Sequence, residues 1–166
     1  MHIRQAKLSD LEATLEIYNY EVLNTTSNMD LEPKTIEQWK KWFHEHNKGN
    51  HPLYVVDIDG TVAGYVSLSQ FRTKDAYKST VELSIYVSKD FRRQGLASAM
   101  MAFVLTEARK NPAIHTIVSV ITGGNEASAR LHKKFGFSYS GTIKDAGYKF
   151  GKYIDINTYM IVVGKK

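Results

Sequence analysis

The chain has 166 residues, 43% hydrophobic and 23% charged, which fits one globular domain with its own core and excludes a disordered tail, a collagen-like chain or a low-complexity scaffold. It contains no cysteine, so disulfides, thiolate metal sites and a cysteine nucleophile are excluded, and a reducing compartment fits. The 22 Lys and Arg against 17 Asp and Glu leave a net charge of +5, which suits either a solvated lysine-rich surface or an anionic ligand such as a polyphosphate cofactor or a nucleic acid; charge alone does not choose.

No apolar run approaches the roughly 18 residues of a membrane span, and the basic N-terminus, Met1 to Lys7, has no apolar stretch behind it. The expectation is a soluble, cytoplasmic protein without a signal peptide. No repeat, linker or charge block divides residues 1–166, which reads as one domain.

Ser9 with Glu12 forms a capping box, and Leu11, Leu15, Tyr18 and Val22 follow at helical spacing, predicting a first helix. Residues 24–34 are polar and contain Pro33, which reads as a loop or as helix ends facing a cleft. Thr35 and Gln38 repeat the capping device before Trp39, Trp42 and Phe43. That is a second amphipathic helix whose aromatics read as core rather than as a ligand-stacking box. Residues 53–58 and 61–71 are strands joined at Asp59-Gly60, a tight hairpin turn. Residues 72–79 form a polar connection. Residues 80–87 are a strand with Val81, Leu83, Ile85 and Val87 on one face and Glu82, Ser84 and Tyr86 on the other.

A helix to about Lys110 follows, with Leu96, Met100, Phe103, Val104 and Ala108 on its apolar face and Asn111-Pro112 at its end. Residues 115–121 are a strand. Thr122-Gly123-Gly124-Asn125 turns into a short helix that Gly136 closes. Residues 137–149 and 153–163 are a closing strand pair around Gly151. Strands alternating with helices in the centre, flanked by antiparallel hairpins, predict a mixed α/β or α+β sheet.

The chemistry concentrates in the strand, turn and helix of residues 80–110. Arg92-Arg93-Gln94-Gly95-Leu96-Ala97 leaves backbone N–H groups free at a helix N-terminus, where the dipole favours negative charge. Gly95 allows close backbone approach, Ala97 keeps the first turn small, and the arginines add positive charge. This is either a pyrophosphate cradle or an ordinary turn with exposed arginines. No Gly-Lys-Ser/Thr follows, and the dinucleotide glycine pattern is missing.

Arg92-x-x-Gly95-x-Ala97 after the strand bearing Glu82, Tyr86 and Val87 resembles the acetyl-coenzyme A signature of the GNAT N-acetyltransferase superfamily. The block from Asn125 to Phe137 is similar to that superfamily's asparagine-to-Gly-Phe segment. Asp75-Ala76-Tyr77 and the block from Ala146 to Asp155 resemble its phosphinothricin acetyltransferase branch.

The resemblance implies an α+β, GNAT-like fold: a mostly antiparallel sheet with a splayed parallel strand pair and about four helices. It implies acetyl-CoA as co-substrate, with the backbone of Arg92, Arg93, Gln94, Gly95, Leu96 and Ala97 on the pyrophosphate. Ile85, Tyr86 and Val87 would run beside the pantetheine arm, with N–H groups near Tyr86 and Val87 polarising the thioester. Asn125 would hydrogen-bond the arm, with Ser128 nearby. Glu82 becomes the general base that deprotonates an amine. His132 is a candidate to protonate the thiolate, to assist the base or to line the site. Arg72, Lys74 and Tyr77 would contact substrate, the cations pairing with a carboxylate or phosphinate.

The implied reaction is direct acetyl transfer to the α-amino group of a small amino acid or analogue of the phosphinothricin, methionine sulfoximine or methionine sulfone class. Protein N-termini, polyamines and aminoglycosides are alternative acceptors, and a non-catalytic acyl-CoA-binding module is the alternative from another class. The branch implies a homodimer, with the C-terminal strands or the second helix near the interface. The histidines lack metal-ligand spacing, so no metal is expected. The pairs Lys40-Lys41, Lys133-Lys134 and Lys165-Lys166 are too scattered for a nucleic-acid groove.

Overall fold

The computed structural model describes residues 1–165; the second half of the Lys165-Lys166 pair lies outside them. In chain order its elements are β1 (His2–Gln5), α1 (Leu11–Asn24), α2 (Ile36–His44), β2 (Leu53–Ile58), β3 (Thr61–Gln70), β4 (Thr80–Val87), α3 (Leu96–Lys110), β5 (Thr116–Thr122), α4 (Glu126–Lys134), β6 (Ser138–Lys149) and β7 (Lys152–Val162). The strands form one seven-stranded sheet in the order β1-β2-β3-β4-β5-β7-β6. β4 and β5 are its one parallel pair; every other neighbour is antiparallel. The α+β expectation holds, and β1, four residues long with no turn signal before it, is an addition to it.

Period-two alternation in β4 divides the core. Val81 and Leu83 are buried against α3 with Met100, Val104 and Ile117. The opposite face of the sheet meets α1 and α2, where Trp39, Phe43, Leu53, Val55 and Tyr65 are buried together. Asp59 and Gly60, at φ 51° and 84°, make the left-handed turn between β2 and β3. Thr35 and Gln38 cap α2 reciprocally, at 3.2 Å and 2.9 Å.

The start of α1 differs from expectation. Ser9 lies in a short 3-10 turn, Leu8–Asp10, and the Asp10 carboxylate, not Ser9, accepts the Lys7 N–H at 2.7 Å. Asp10 also takes two Arg4 N–H groups, at 2.7 and 2.9 Å, while Arg4 reaches Asp57 at 2.9 Å. A carboxylate in a charge-assisted fork outcompetes a neutral hydroxyl. Arg4 thus ties β1, β2 and the entry to α1 together.

The feature that positions the site is the short pairing of β4 with β5. Only Thr80, Val81 and Glu82 pair, with Thr116, Ile117 and Val118. Beyond Glu82, β4 stays with β3 as far as the Gly64 and Val87 pair, and β5 stays with β7 as far as the Thr122 and Ile156 pair. The two half-sheets diverge, and the facing edges of β4 and β5 no longer pair with each other.

Candidate active site

Two cavities meet in the wedge between β4 and β5. The first, about 550 Å³, has Ile85, Tyr86 and Val87 in one wall and Asn125, Ser128 and His132 in another, with Arg92 and Ala97 at the turn into α3. Arg93, Gln94 and Gly95 lie exposed on that turn outside the cavity lining, and Leu96 is buried in the core. Only the backbone of Leu96 remains for a ligand.

The turn itself suits an anion. Arg93 and Gly95 are both left-handed, at φ 62° and 78°, and alternating left-handed residues form an anion nest of backbone N–H groups. No side chain caps α3, whose N-cap is Gly95, so its first N–H groups have no side-chain acceptor. Arg130 and Lys134 from α4 add positive charge to the cavity wall.

Arg92 is already engaged. Its guanidinium pairs with Glu21 of α1 and lies 5.4 Å from the Tyr20 ring centroid. Glu21 is buried and accepts hydrogen bonds from Thr25 and Ser27, each at 2.9 Å. Nothing in the sequence singled out Glu21: it sits in the last turn of α1 with no motif around it.

His132 is buried between Phe137 and Tyr159. Its Nδ1 is 2.7 Å from the Ser128 carbonyl. A carbonyl only accepts, so Nδ1 carries the proton, and Nε2 is a lone-pair acceptor with no partner among the described residues. Burial pushes the imidazole below its ordinary value, which keeps it neutral. Asn125 caps α4 by accepting the Ser128 N–H at 3.2 Å, which leaves its amide donors for a ligand.

The second cavity, about 700 Å³, lies between the floor strands β3 and β4 and the roof made by α2 and the loop after α1. Glu82 lines it. Burial alone pushes this carboxyl above the ordinary carboxylate range. Trp39 and Trp42, stacked with centroids 4.2 Å apart, line the cavity as well as joining the core, so the expectation of core aromatics is only half the description. The loop is fastened at several points. Asn28 donates to the Tyr86 hydroxyl at 3.1 Å, the buried Lys149 donates to the Asn28 carbonyl at 2.6 Å, and Tyr18 donates to Asp30.

Ser27, Leu83, Ser84, Tyr86 and Val120 line both cavities. A ligand in each would therefore meet at β4, between Glu82 and Val87. Arg72, Lys74 and Tyr77 line neither. The Arg72 guanidinium rests on the Phe71 and Tyr77 rings, 5.0 and 5.5 Å from their centroids, and Lys74 is exposed. The charged side chains that do line the second cavity are Asp30, Lys34, Lys41, Glu45 and Glu82.

Residues 3–158 match the acetyltransferase (GNAT) domain family. The chain belongs to the GNAT acetyltransferase family. This GNAT enzyme is 36% identical to an L-methionine sulfoximine/L-methionine sulfone acetyltransferase of Pseudomonas aeruginosa, over 95% of the chain and 91% of that protein. It is 35% identical to the phosphinothricin N-acetyltransferase of Streptomyces coelicolor, over 96% and 94%. The crystal structure of a GNAT phosphinothricin acetyltransferase from Sinorhizobium meliloti, in complex with acetyl-CoA, superposes with a TM-score of 0.93 at 29% identity, covering 98% of this chain and 88% of that one. The splayed pair and flanking helices are thus those of an N-acetyltransferase. No helix among the described residues is long and apolar enough to cross a membrane.

Proposed function

We propose that this enzyme transfers the acetyl group of acetyl-CoA to the α-amino group of a small amino acid or amino-acid analogue, by direct attack in a ternary complex. The observation that carries the reading is the meeting of the two cavities at Ser84 and Tyr86, with the acceptor-side cavity holding Glu82. The names of the relatives, a methionine sulfoximine and sulfone acetyltransferase and a phosphinothricin acetyltransferase, support the acceptor class.

Acetyl-CoA fits the first cavity on three grounds: the uncapped N-terminus of α3, the nest at Arg93 and Gly95, and the unpaired β4 edge. The thioester supplies the electrophilic carbonyl. The turn of residues 92–97 binds the pyrophosphate, with Arg92, Arg130 and Lys134 balancing its charge. The edge of β4 from Ile85 to Val87 pairs with the pantetheine amides, and a backbone N–H near Val87 stabilises the developing oxyanion. Asn125 donates to the arm. His132 accepts through Nε2, because a neutral ring with Nδ1–H committed to Ser128 has no proton to give there. Glu82 takes the proton from the incoming ammonium, and its raised pKa makes it a stronger base for that step. The chain offers no cysteine for an acetyl-enzyme.

Among carboxylates and ammonium groups in the acceptor cavity, Asp30, Glu45 and Glu82 outnumber Lys34 and Lys41. That balance favours a second acceptor class, a polyamine. Thiol release from acetyl-CoA in the presence of phosphinothricin, methionine sulfoximine, methionine sulfone, the common amino acids and spermidine separates the two. Turnover confined to α-amino acids supports the leading reading; turnover confined to spermidine overturns it. Parallel-line kinetics together with a trapped acetyl-enzyme would overturn direct attack.

We also propose a homodimer built through β6 and β7. Tyr139, Ile143, Tyr148, Phe150 and Tyr153 are large apolar side chains exposed there, more than a monomer usually leaves on one edge. The apolar face of α2 is a poorer candidate, since Trp39 and Phe43 are buried in this chain's own core. Light scattering at micromolar concentration tests it; a mass near the 18.8 kDa of one chain overturns it.

A further inference from the structure

The hairpin of β6 and β7 carries the block from Ala146 to Asp155, which no step of the proposed reaction uses. β6 is an edge strand of the sheet. Its ladder with β7 breaks between Ile143 and Gly147, and Asp155 stitches the break by accepting the Asp145 N–H and the Lys144 ammonium, each at 2.8 Å. Such a bulge re-aims the residues that follow it. Pairing resumes at Gly147 with Ile154 and at Lys149 with Lys152. Alternation puts Gly147 and Lys149 on one face and Tyr148 on the other, and burial agrees: Lys149 is 2% exposed and Tyr148 56%.

Both inward residues touch the loop after α1. The Lys149 ammonium donates to the Asn28 carbonyl at 2.6 Å. A buried ammonium is costly unless it is bonded, so this contact fixes the loop backbone at Asn28. The Gly147 contact is one of space. Its φ lies outside the left-handed region, so the backbone there does not call for glycine. A Cβ at this position would overlap the Met29 Cε and stand 3.7 Å from the Met29 Sδ. Gly147 is therefore a niche for the end of the Met29 side chain. Asn28 and Met29 line the second cavity and not the first. Met29 thus stands between β6 and the second cavity.

We propose that Gly147 and Lys149 are positioning residues that set the width of the acceptor cavity: Lys149 holds the loop at Asn28, and the bare backbone at Gly147 lets Met29 lie back against β6 instead of across the cavity. Neither residue touches the acceptor. Both act through the wall that Asn28 and Met29 make. A side chain at position 147 pushes the Met29 end away from β6 and toward the cavity. What must give is the end of a flexible thioether, not backbone, so the change costs the fold little and the cavity much. The effect is selective: an acceptor with a long side chain needs the space that a short one leaves unused. This proposal rests on the amino-acid reading of the activity and adds what limits the acceptor's size.

The test compares alanine and norleucine as short and long acceptors. Trp39 and Trp42, the chain's two tryptophans, both line this cavity, so acrylamide quenching of their emission reads its openness without turnover. Gly147→Ala is expected to lower the norleucine-to-alanine ratio of kcat/KM about tenfold. It should also reduce quenching, while the melting temperature and the KM for acetyl-CoA stay near wild type. Adding Met29→Ala should restore both the ratio and the quenching. Met29→Ala alone should raise the ratio, and it decides the matter should Gly147→Ala not fold. Lys149→Met frees the loop and should raise the KM of both acceptors about tenfold, with more quenching and an unchanged KM for acetyl-CoA. A ratio unchanged in Gly147→Ala and in Met29→Ala overturns the proposal. So does a loss shared equally by both acceptors and acetyl-CoA, which would assign Gly147 to folding alone. If the wild type acetylates neither acid, the quenching order decides the niche, and the activity reading falls separately on the wider acceptor panel.

Discussion

His132 directs its Nδ1–H to the carbonyl of Ser128, 2.7 Å away, and that one bond fixes which nitrogen the cavity meets. The other ring nitrogen, Nε2, is a buried lone pair without a partner among the described residues, and burial holds the imidazole below its usual range. On the proposed reading this nitrogen accepts a hydrogen bond from bound acetyl-CoA and donates no proton to the leaving thiolate. His132→Leu is expected to raise KM for acetyl-CoA about tenfold. His132→Gln, whose side-chain oxygen restores an acceptor, should recover part of that loss. The pH profile of kcat/KM should keep its shape in both. Loss of an alkaline limb, with kcat rather than KM affected, would mean that the ring does transfer a proton.

Glu82 carries the opposite combination of cost and use. Desolvation raises its pKa, so the folded state binds its proton more tightly than the unfolded chain does. Stability from this group is greatest in acid and declines as pH rises from the unfolded pKa through the folded one. Activity runs the other way, rising with pH as the carboxylate forms. Glu82→Gln should thus stabilise the enzyme at neutral pH by roughly 1 kcal/mol while lowering kcat by about 100-fold or more. Thermal melts and steady-state rates on the same sample check both halves. A variant that keeps its turnover removes Glu82 as the base.

Local signals were legible in the sequence where one stretch of chain decides the outcome. The alternation of Val81 to Val87 set the two faces of β4, the Thr35 and Gln38 box placed α2, and the turn at Arg92 to Ala97 marked the start of α3. What long-range pairing decides was not legible from pattern. The divergence of β4 from β5 after Glu82 depends on partners 36 residues away, and it came only through family resemblance. That Arg72 and Lys74 line neither cavity, with Arg72 resting on Phe71 and Tyr77, shows only in three dimensions.

Arg92 and Glu21 link the turn into α3 to the loop that walls the second cavity. Arg92 pairs with the buried Glu21, and Glu21 holds Thr25 and Ser27. Arg92→Ala removes a cation from the cavity wall and leaves the carboxylate buried without its partner. KM for acetyl-CoA is expected to rise about tenfold, and stability to fall by about 2 kcal/mol. Adding Glu21→Gln to Arg92→Ala should restore much of the stability but not the affinity. Unfolding curves and acetyl-CoA titrations of the double-mutant cycle measure the two separately. If stability does not recover, the ion pair is not what holds Glu21 in place.

Two buried histidines set the acid limit of the fold. His46 bridges the Trp42 carbonyl and the Ser69 hydroxyl, at 2.7 and 2.8 Å, and desolvation lowers its pKa from the ordinary 6.5. His132 is lowered for the same reason. Both are neutral when folded and gain a proton more easily when unfolded. Their contribution is therefore fully present above about pH 6.5 and is lost as pH falls through the folded values. Asp10 and Asp57, held below the usual carboxylate range by Arg4, add a second loss only at lower pH. Urea unfolding should show stability falling below about pH 6.5, well before the carboxylates titrate. His46→Gln, which keeps a polar group in the bridge but cannot ionise, should flatten the first step while costing about 1 kcal/mol at pH 8. A first step that survives in this variant and in His132→Gln would place the acid sensitivity elsewhere.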